Sequence, residues 1–139
     1  MLALAGCTAW VQSVTLSDSA DYLWLITTSS APRESFSTAD ARVTVAVAFT
    51  PNFFAAFKSF RIDWIDPDNH FHERHYTKTE WGSHQYLVET MDLAGTSAAE
   101  HPGRWRVEIW HKDQLLVRRW FEVVPAARDA PPAPPVDFT

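Results

Sequence analysis

Between residues 43 and 49 the chain alternates strictly: Val43, Val45, Val47 and Phe49 are separated by Thr44, Ala46 and Ala48. A period of two sends successive side chains to opposite faces, so this segment predicts a half-buried strand, stopped by Pro51. The alternation returns at Phe60, Ile62 and Trp64 against Arg61 and Asp63. It ends in Asp66-Pro67-Asp68-Asn69, whose residues favour a tight turn, and a hairpin partner is expected from His70 to about Thr79. Gln85 to Leu93 predicts another strand, followed by loop residues at Gly95-Thr96-Ser97 and His101-Pro102-Gly103. The best-defined hairpin sets Trp105, Val107 and Ile109 against Arg106 and Glu108, turns near His111-Lys112-Asp113-Gln114, and returns from Leu115 to Val124. In the return strand Leu115, Val117, Phe121 and Val123 claim the core face and would carry Arg119 inside. A bulge near Arg118-Arg119-Trp120, or an arginine reaching to water, is therefore expected.

Other stretches are less regular. Tyr22 to Thr28 is rich in β-formers and suggests a first strand, while Phe53, Phe54 and Phe57 have spacings that suit a helical turn between sheets. From Pro125 to Thr139 the chain is proline-rich and predicts an exposed polyproline-type tail. About seven short strands with regular turns and no long helix make an all-β, antiparallel β-sandwich. The runs Asp40-Ala41-Arg42-Val43-Thr44-Val45, Ile62-Asp63-Trp64-Ile65-Asp66-Pro67-Asp68, Gly103-Arg104-Trp105-Arg106-Val107-Glu108-Ile109 and Phe121-Glu122-Val123 resemble bacterial periplasmic immunoglobulin-like domains. The resemblance spans roughly residues 36–124. It implies an immunoglobulin-like fold with Trp64 and Trp105 in the core, and it leaves function open.

The chain opens Met1-Leu2-Ala3-Leu4-Ala5-Gly6-Cys7, and Leu4-Ala5-Gly6-Cys7 resembles the lipobox of bacterial lipoproteins. The resemblance implies a lipid on Cys7, and Thr8 after it favours the outer membrane. Only three residues precede the motif, where a secretory leader has an apolar run of about 7–15. Residues 1–7 are accordingly expected to be the remnant of a truncated leader, residues 8–124 the sandwich, and 125–139 the tail. The other reading of these residues is an Ala-rich apolar end.

Composition narrows the partners. With 139 residues, 46% of them hydrophobic, the chain suits one domain with a substantial core. Its net charge of −5 and scattered arginines argue against a nucleic-acid partner, which needs clustered cations. A single cysteine permits neither an internal disulfide nor a cysteine-based zinc site.

Two constellations are candidates for chemistry. His70 and His72, alternate residues on an expected strand, would face one side about 7 Å apart and offer a site for copper or zinc, with Asp66 and Asp68 just before and His75 pointing away. The plainer reading is a solvated hairpin strand, and no metal or other cofactor is expected. Trp110 and Trp120 fall off the apolar phase beside Arg106 and Arg118, and Trp81 stands apart from it too. Exposed Trp and Arg together mark binding hot spots, unless residues 8–35 cover them as a second layer. Glycine is scarce and no nucleophile motif occurs, so no enzyme is expected. The expected function is a membrane-tethered accessory domain on the periplasmic side of the cell envelope, docking onto another envelope protein. The alternative is ligand capture, of carbohydrate by Trp stacking or of metal by His70 and His72.

Overall fold

The structure, a computed structural model, describes residues 11–18, 33–50, 58–79 and 86–126. Eight strands run in chain order: β1 (Val11–Ser17), β2 (Ser35–Ser37), β3 (Arg42–Phe49), β4 (Lys58–Ile65), β5 (Phe71–Thr79), β6 (Tyr86–Asp92), β7 (Gly103–His111) and β8 (Gln114–Val124). They form two sheets, ordered β1-β3-β6 and β2-β8-β7-β4-β5. This is a two-layer, all-β sandwich. The strand order is that of an immunoglobulin-like domain, with the first, second and fifth strands of that fold on one sheet and its central hairpins on the other.

The alternating residues meet between the sheets. Val43, Val45, Val47 and Phe49 face Phe60, Ile62, Trp64, Trp105, Val107, Ile109, Phe121 and Val123, all buried. Burying each such side chain contributes about 1.5–3 kcal/mol. Phe121 is the centre of the aromatic packing: Phe36 and Trp64 stand edge-on to it at 5.7 and 6.1 Å, and Trp105 stacks on it at 6.3 Å. Both tryptophans expected in the core are there. They differ in one respect: the Trp105 indole N–H donates to the His101 carbonyl at 2.7 Å, whereas the Trp64 N–H has no partner among the described residues.

The turn after β4 is built by Asp66, whose Oδ1 accepts from the backbone N–H of both Asp68 and His70 at 2.9 Å. Asn69 takes the left-handed conformation, φ 68°, that such a turn requires. Pro67 then packs on the start of β7, where Gly103 has φ 141° and an added Cβ would lie 2.9 Å from Pro67 Cγ.

Several expectations are corrected. The pairing of β2 with β8 is parallel, so the sandwich is not wholly antiparallel. β1 and β2 were not legible, because each is short or carries little alternation. In β8 the irregularity lies before the expected place: Ile109 pairs with Val117 and Trp110 with Leu115. That bulge buries both Leu116 and Val117 and moves Leu115 off the core phase. Arg119 is opposite Val107 on the inner phase yet exposed, the arginine reaching to water that was expected. Pro125 and Ala126 belong to the sandwich rather than the tail, since Ala126 is buried and its N–H donates to Thr38 Oγ1 at 2.9 Å. The expected strand at 22–28, the helical turn at 53–57, Cys7, Trp81 and the proline-rich residues beyond 126 lie outside the described residues.

Trp105→Phe and Trp64→Phe remove the same volume from one core, but only the first strips a hydrogen bond. Urea denaturation is expected to show Trp105→Phe as the more destabilised by about 1–3 kcal/mol. Gly103→Ala, strained in φ and crowded by Pro67, is expected to lower stability by a comparable amount, on the order of 1–3 kcal/mol.

Candidate functional site

The five-stranded sheet turns its second face away from the core, and the polar phases of its strands gather there. β4 contributes Arg61 and Asp63, and β7 contributes Arg104, Arg106, Glu108 and Trp110. Across β7, β8 sets Trp120 opposite Arg106 and Arg118 opposite Glu108. On the other flank, β5 sets Arg74 opposite Asp63 and Tyr76 opposite Arg61. Alternate residues of adjacent strands thus form a continuous outer surface from segments far apart in sequence.

Two carboxylates lie beneath that surface. Asp63 and Glu108 are direct cross-strand partners, an arrangement in which like charges repel. Each is nearly buried, with side-chain exposures of 1% and 6%. Arginines relieve both. Arg74 Nε donates to Asp63 Oδ1 at 2.7 Å and Arg61 Nε to Oδ2 at 3.2 Å. Arg118 Nε and Arg106 Nε donate to Glu108 Oε2 at 2.8 and 3.1 Å, and the Trp110 indole N–H to Oε1 at 3.3 Å. Burial pushes the Glu108 carboxyl up, but the bonds from Arg118, Arg106 and Trp110 together outweigh it and hold the group below its ordinary range. The Arg74 guanidinium is raised, chiefly by its hydrogen bond to Asp63.

The guanidinium planes also lie over rings. Arg104 and Arg106 sit 4.4 and 5.4 Å from the Trp120 ring centre, Arg61 lies 5.1 Å from that of Trp110, and Arg74 4.5 Å from that of Phe71. Each such contact is worth about 0.5–1 kcal/mol at exposed sites. The aromatic and cationic groups are therefore held in position by one another.

Of the residues singled out from sequence, the structure brings Trp110, Trp120, Arg106 and Arg118 together on this face. Trp81 is outside the described residues, as is Cys7. The described parts of residues 8–35 do not form a layer over the tryptophans: β1 joins the opposite sheet and β2 extends the edge beyond β8. Sequence reasoning missed Asp63, Glu108, Arg61, Arg74 and Arg104 as members of the site, and also Phe71 and Tyr76. The available signal was the run of charged and aromatic residues at every second position, 61 and 63, then 104 to 110.

The histidines are arranged differently from expectation. A register shift opposite Trp64 and Ile65 makes a bulge at the start of β5. His70 precedes the strand, in the turn, with Nδ1 3.8 Å from Asp66 Oδ2, while the His72 ring stands edge-on to buried Trp105 at 5.2 Å. They do not form a same-face pair on one regular strand. Ligand atoms of Asp66, Asp68 and His70 fall within 4.8 Å of one another, but Asp66 already accepts the two backbone bonds that make the turn. His75 lies between Glu73 of its own strand and Glu89 of β6 in the other sheet, at 3.2 and 3.6 Å. Burial raises the Glu89 carboxyl despite the opposing effect of His75.

The two glutamates respond oppositely to acid. Glu108 is depressed, so its stabilisation is present above the unfolded value of about 4.3 and is lost as pH falls through the lower folded value. Glu89 is raised, so its contribution is greatest in acid and is withdrawn as pH rises through the folded value. In urea titrations, Glu108→Gln is expected to destabilise at pH 7 and to flatten the acid loss. Glu89→Gln is expected to stabilise at pH 7, with the gain vanishing toward low pH.

The chain matches no family model and no curated protein sequence. Among solved structures it is similar to an immunoglobulin-like protein of Pseudomonas aeruginosa, with 13% identity, TM-score 0.47, and 67% of this chain and 79% of that one covered. The PmoD soluble domain of a Methylocystis species aligns at 12% identity and TM-score 0.45, over 83% of this chain and 97% of that one. The DNA-bound alkylpurine DNA glycosylase AlkC of Pseudomonas fluorescens aligns at 13% identity and TM-score 0.45, over 82% of this chain but 30% of the glycosylase. These likenesses concern the course of the chain alone, and the immunoglobulin-like description rests on the strand order of the two sheets.

Proposed function

We propose that this protein is a binding module of the bacterial cell envelope, tethered by lipid on Cys7, that docks onto an acidic surface of another envelope protein through the outer face of its five-stranded sheet. One observation carries the docking reading. The large hydrophobic side chains exposed among the described residues, Phe71, Tyr76, Trp120 and Val124, all belong to the outer phase of that sheet. Arginines interleave them. Arg61, Arg74, Arg104, Arg106 and Arg118 outnumber Asp63, Glu108 and Glu122 on this face, although the whole chain carries a net charge of −5. An aromatic and cationic patch on an otherwise acidic molecule favours a partner with carboxylates around an apolar centre.

Support for the tether is the lipobox resemblance. No helix among the described residues is long and apolar enough to cross a membrane. The rival ligand-capture readings have less support. Arg104 and Arg106 already lie over the Trp120 ring, so a stacking sugar would have to displace a guanidinium. The bulge in β5 parts His70 from His72.

Intact-mass measurement of the chain purified from its native membrane is expected to show acyl mass on Cys7; an unmodified cysteine refutes the tether. Cross-linking in the same envelope is expected to give one stoichiometric acidic partner, lost with Trp120→Ala and with Tyr76→Ala. Fluorescence quenching by cell-wall sugars with no such partner would instead establish glycan capture.

A further inference from the structure

Beside the outer face, β1, the edge of one sheet, passes β8 of the other. β2 covers the edge of β8 only at residues 122–124. Between Glu34 and Arg33 the backbone changes partner: Glu34 still accepts from the Glu122 N–H at 2.8 Å, while the Arg33 N–H donates to the Leu16 carbonyl of β1 at 3.2 Å. Strand alternation then determines the edge. Glu122 donates toward this side and the Val124 carbonyl accepts there from Thr38, so Trp120 and Arg118 turn their backbone groups the same way. Among the described residues nothing pairs with them on that side.

Two adjoining clefts follow this edge. One, of about 440 Å³, has Val14, Leu16 and Trp120 as its apolar walls and Arg33, Arg104, Arg118 and Arg119 around them, with Glu34 as its one carboxylate among the described residues. The other, of about 290 Å³, continues along Leu116 to Arg119 against Val11 to Val14. Arg119 makes no ion pair among the described residues, and Arg104 stacks on Trp120 without one. The groove therefore combines apolar walls, strand backbone that is unpaired among the described residues, and two arginines, Arg104 and Arg119, without an ion pair there, while Arg33 is held by Asp18 and Asp40 and Arg118 by Glu108.

We propose that this groove takes an extended acidic peptide segment of the docking partner, which adds as a strand to β8 upstream of β2. The proposal deepens the docking reading and rests on it. Main-chain bonds to Arg118 and Trp120 supply affinity, and the alternate side chains of the added strand select for sequence. Carboxylates on the inner side of that strand meet Arg119, and apolar residues on its outer side lie against Trp120. An uncovered strand edge is a standing risk of self-association, and the clustered arginines suit an acidic strand while repelling a second copy of the same edge.

The test uses the full chain and a synthetic peptide of roughly eight residues alternating Glu and Val, a length that spans the groove at about 3.3 Å per residue. Binding is expected, with the Arg118 and Trp120 amides newly protected from hydrogen exchange and no binding of the Lys-for-Glu peptide. Arg119→Glu is expected to weaken binding by about tenfold or more, and Arg119→Ala by less. Phe71→Ala and Tyr76→Ala, on the outer face alone, are expected to leave peptide binding intact while abolishing capture of the whole partner. No binding, binding without amide protection, or equal competition by free glutamate overturns strand addition. Loss of peptide binding in Phe71→Ala and Tyr76→Ala, with Arg119→Glu unaffected, overturns it too, by placing the peptide on the outer face instead.

Discussion

Two carboxylates lie side by side under the outer face of the large sheet, and the face is organised around pairing them with arginines. Asp63 and Glu108 are cross-strand neighbours on the central strands β4 and β7, nearly out of water. Left unpaired, either would cost several kcal/mol, and their mutual repulsion would add to it. Four arginines from four strands converge on the pair. A buried ionic network of this kind contributes little net stability compared with an apolar layer. Its effect is geometric: it fixes where the guanidinium planes and the indoles of Trp110 and Trp120 stand. The same central strands bury Ile62, Trp64, Val107 and Ile109 on their inner side. They are occupied on both faces, one by dispersion packing and the other by charge.

Two bulges decide what the faces carry. The shift opposite Trp64 and Ile65 turns His72 onto Trp105 and leaves Phe71 exposed beneath the Arg74 guanidinium. The shift between Ile109 and Trp110 places Leu116 and Val117 together in the core. After it, β8 returns to phase with Arg118 and Trp120 outward. A one-residue slip in either strand would exchange the inner and outer sets, so these irregularities govern the composition of the proposed docking surface.

The departure of the chain from the large sheet at residues 33–34 has a parallel effect on the flank. The short parallel strand β2 closes the edge of β8 for three residues, and the arginine-lined groove begins where it stops. The outer face and the groove share Arg118 and Trp120, so the aromatic patch and the edge of β8 form one continuous surface.

By itself the sequence determined the class of fold and most of its core. The alternation at 43–49, 60–64 and 105–109, and the turn residues at 66–69, are local signals that depend only on a two-residue period and on backbone preferences. It also placed Trp110, Trp120, Arg106 and Arg118 outside the apolar phase. It did not reveal that Arg61 and Arg74 join them, that Asp63 and Glu108 are buried, or that His70 and His72 are parted by a bulge. Those facts depend on strand order and register, which join residues tens of positions apart and leave no periodic trace along the chain. The arginines that look scattered in sequence become one patch because β4, β5, β7 and β8 are neighbours in the sheet. The tertiary structure decided that, since hydrogen-bonded pairing between strands, rather than proximity in sequence, determines which side chains share a face.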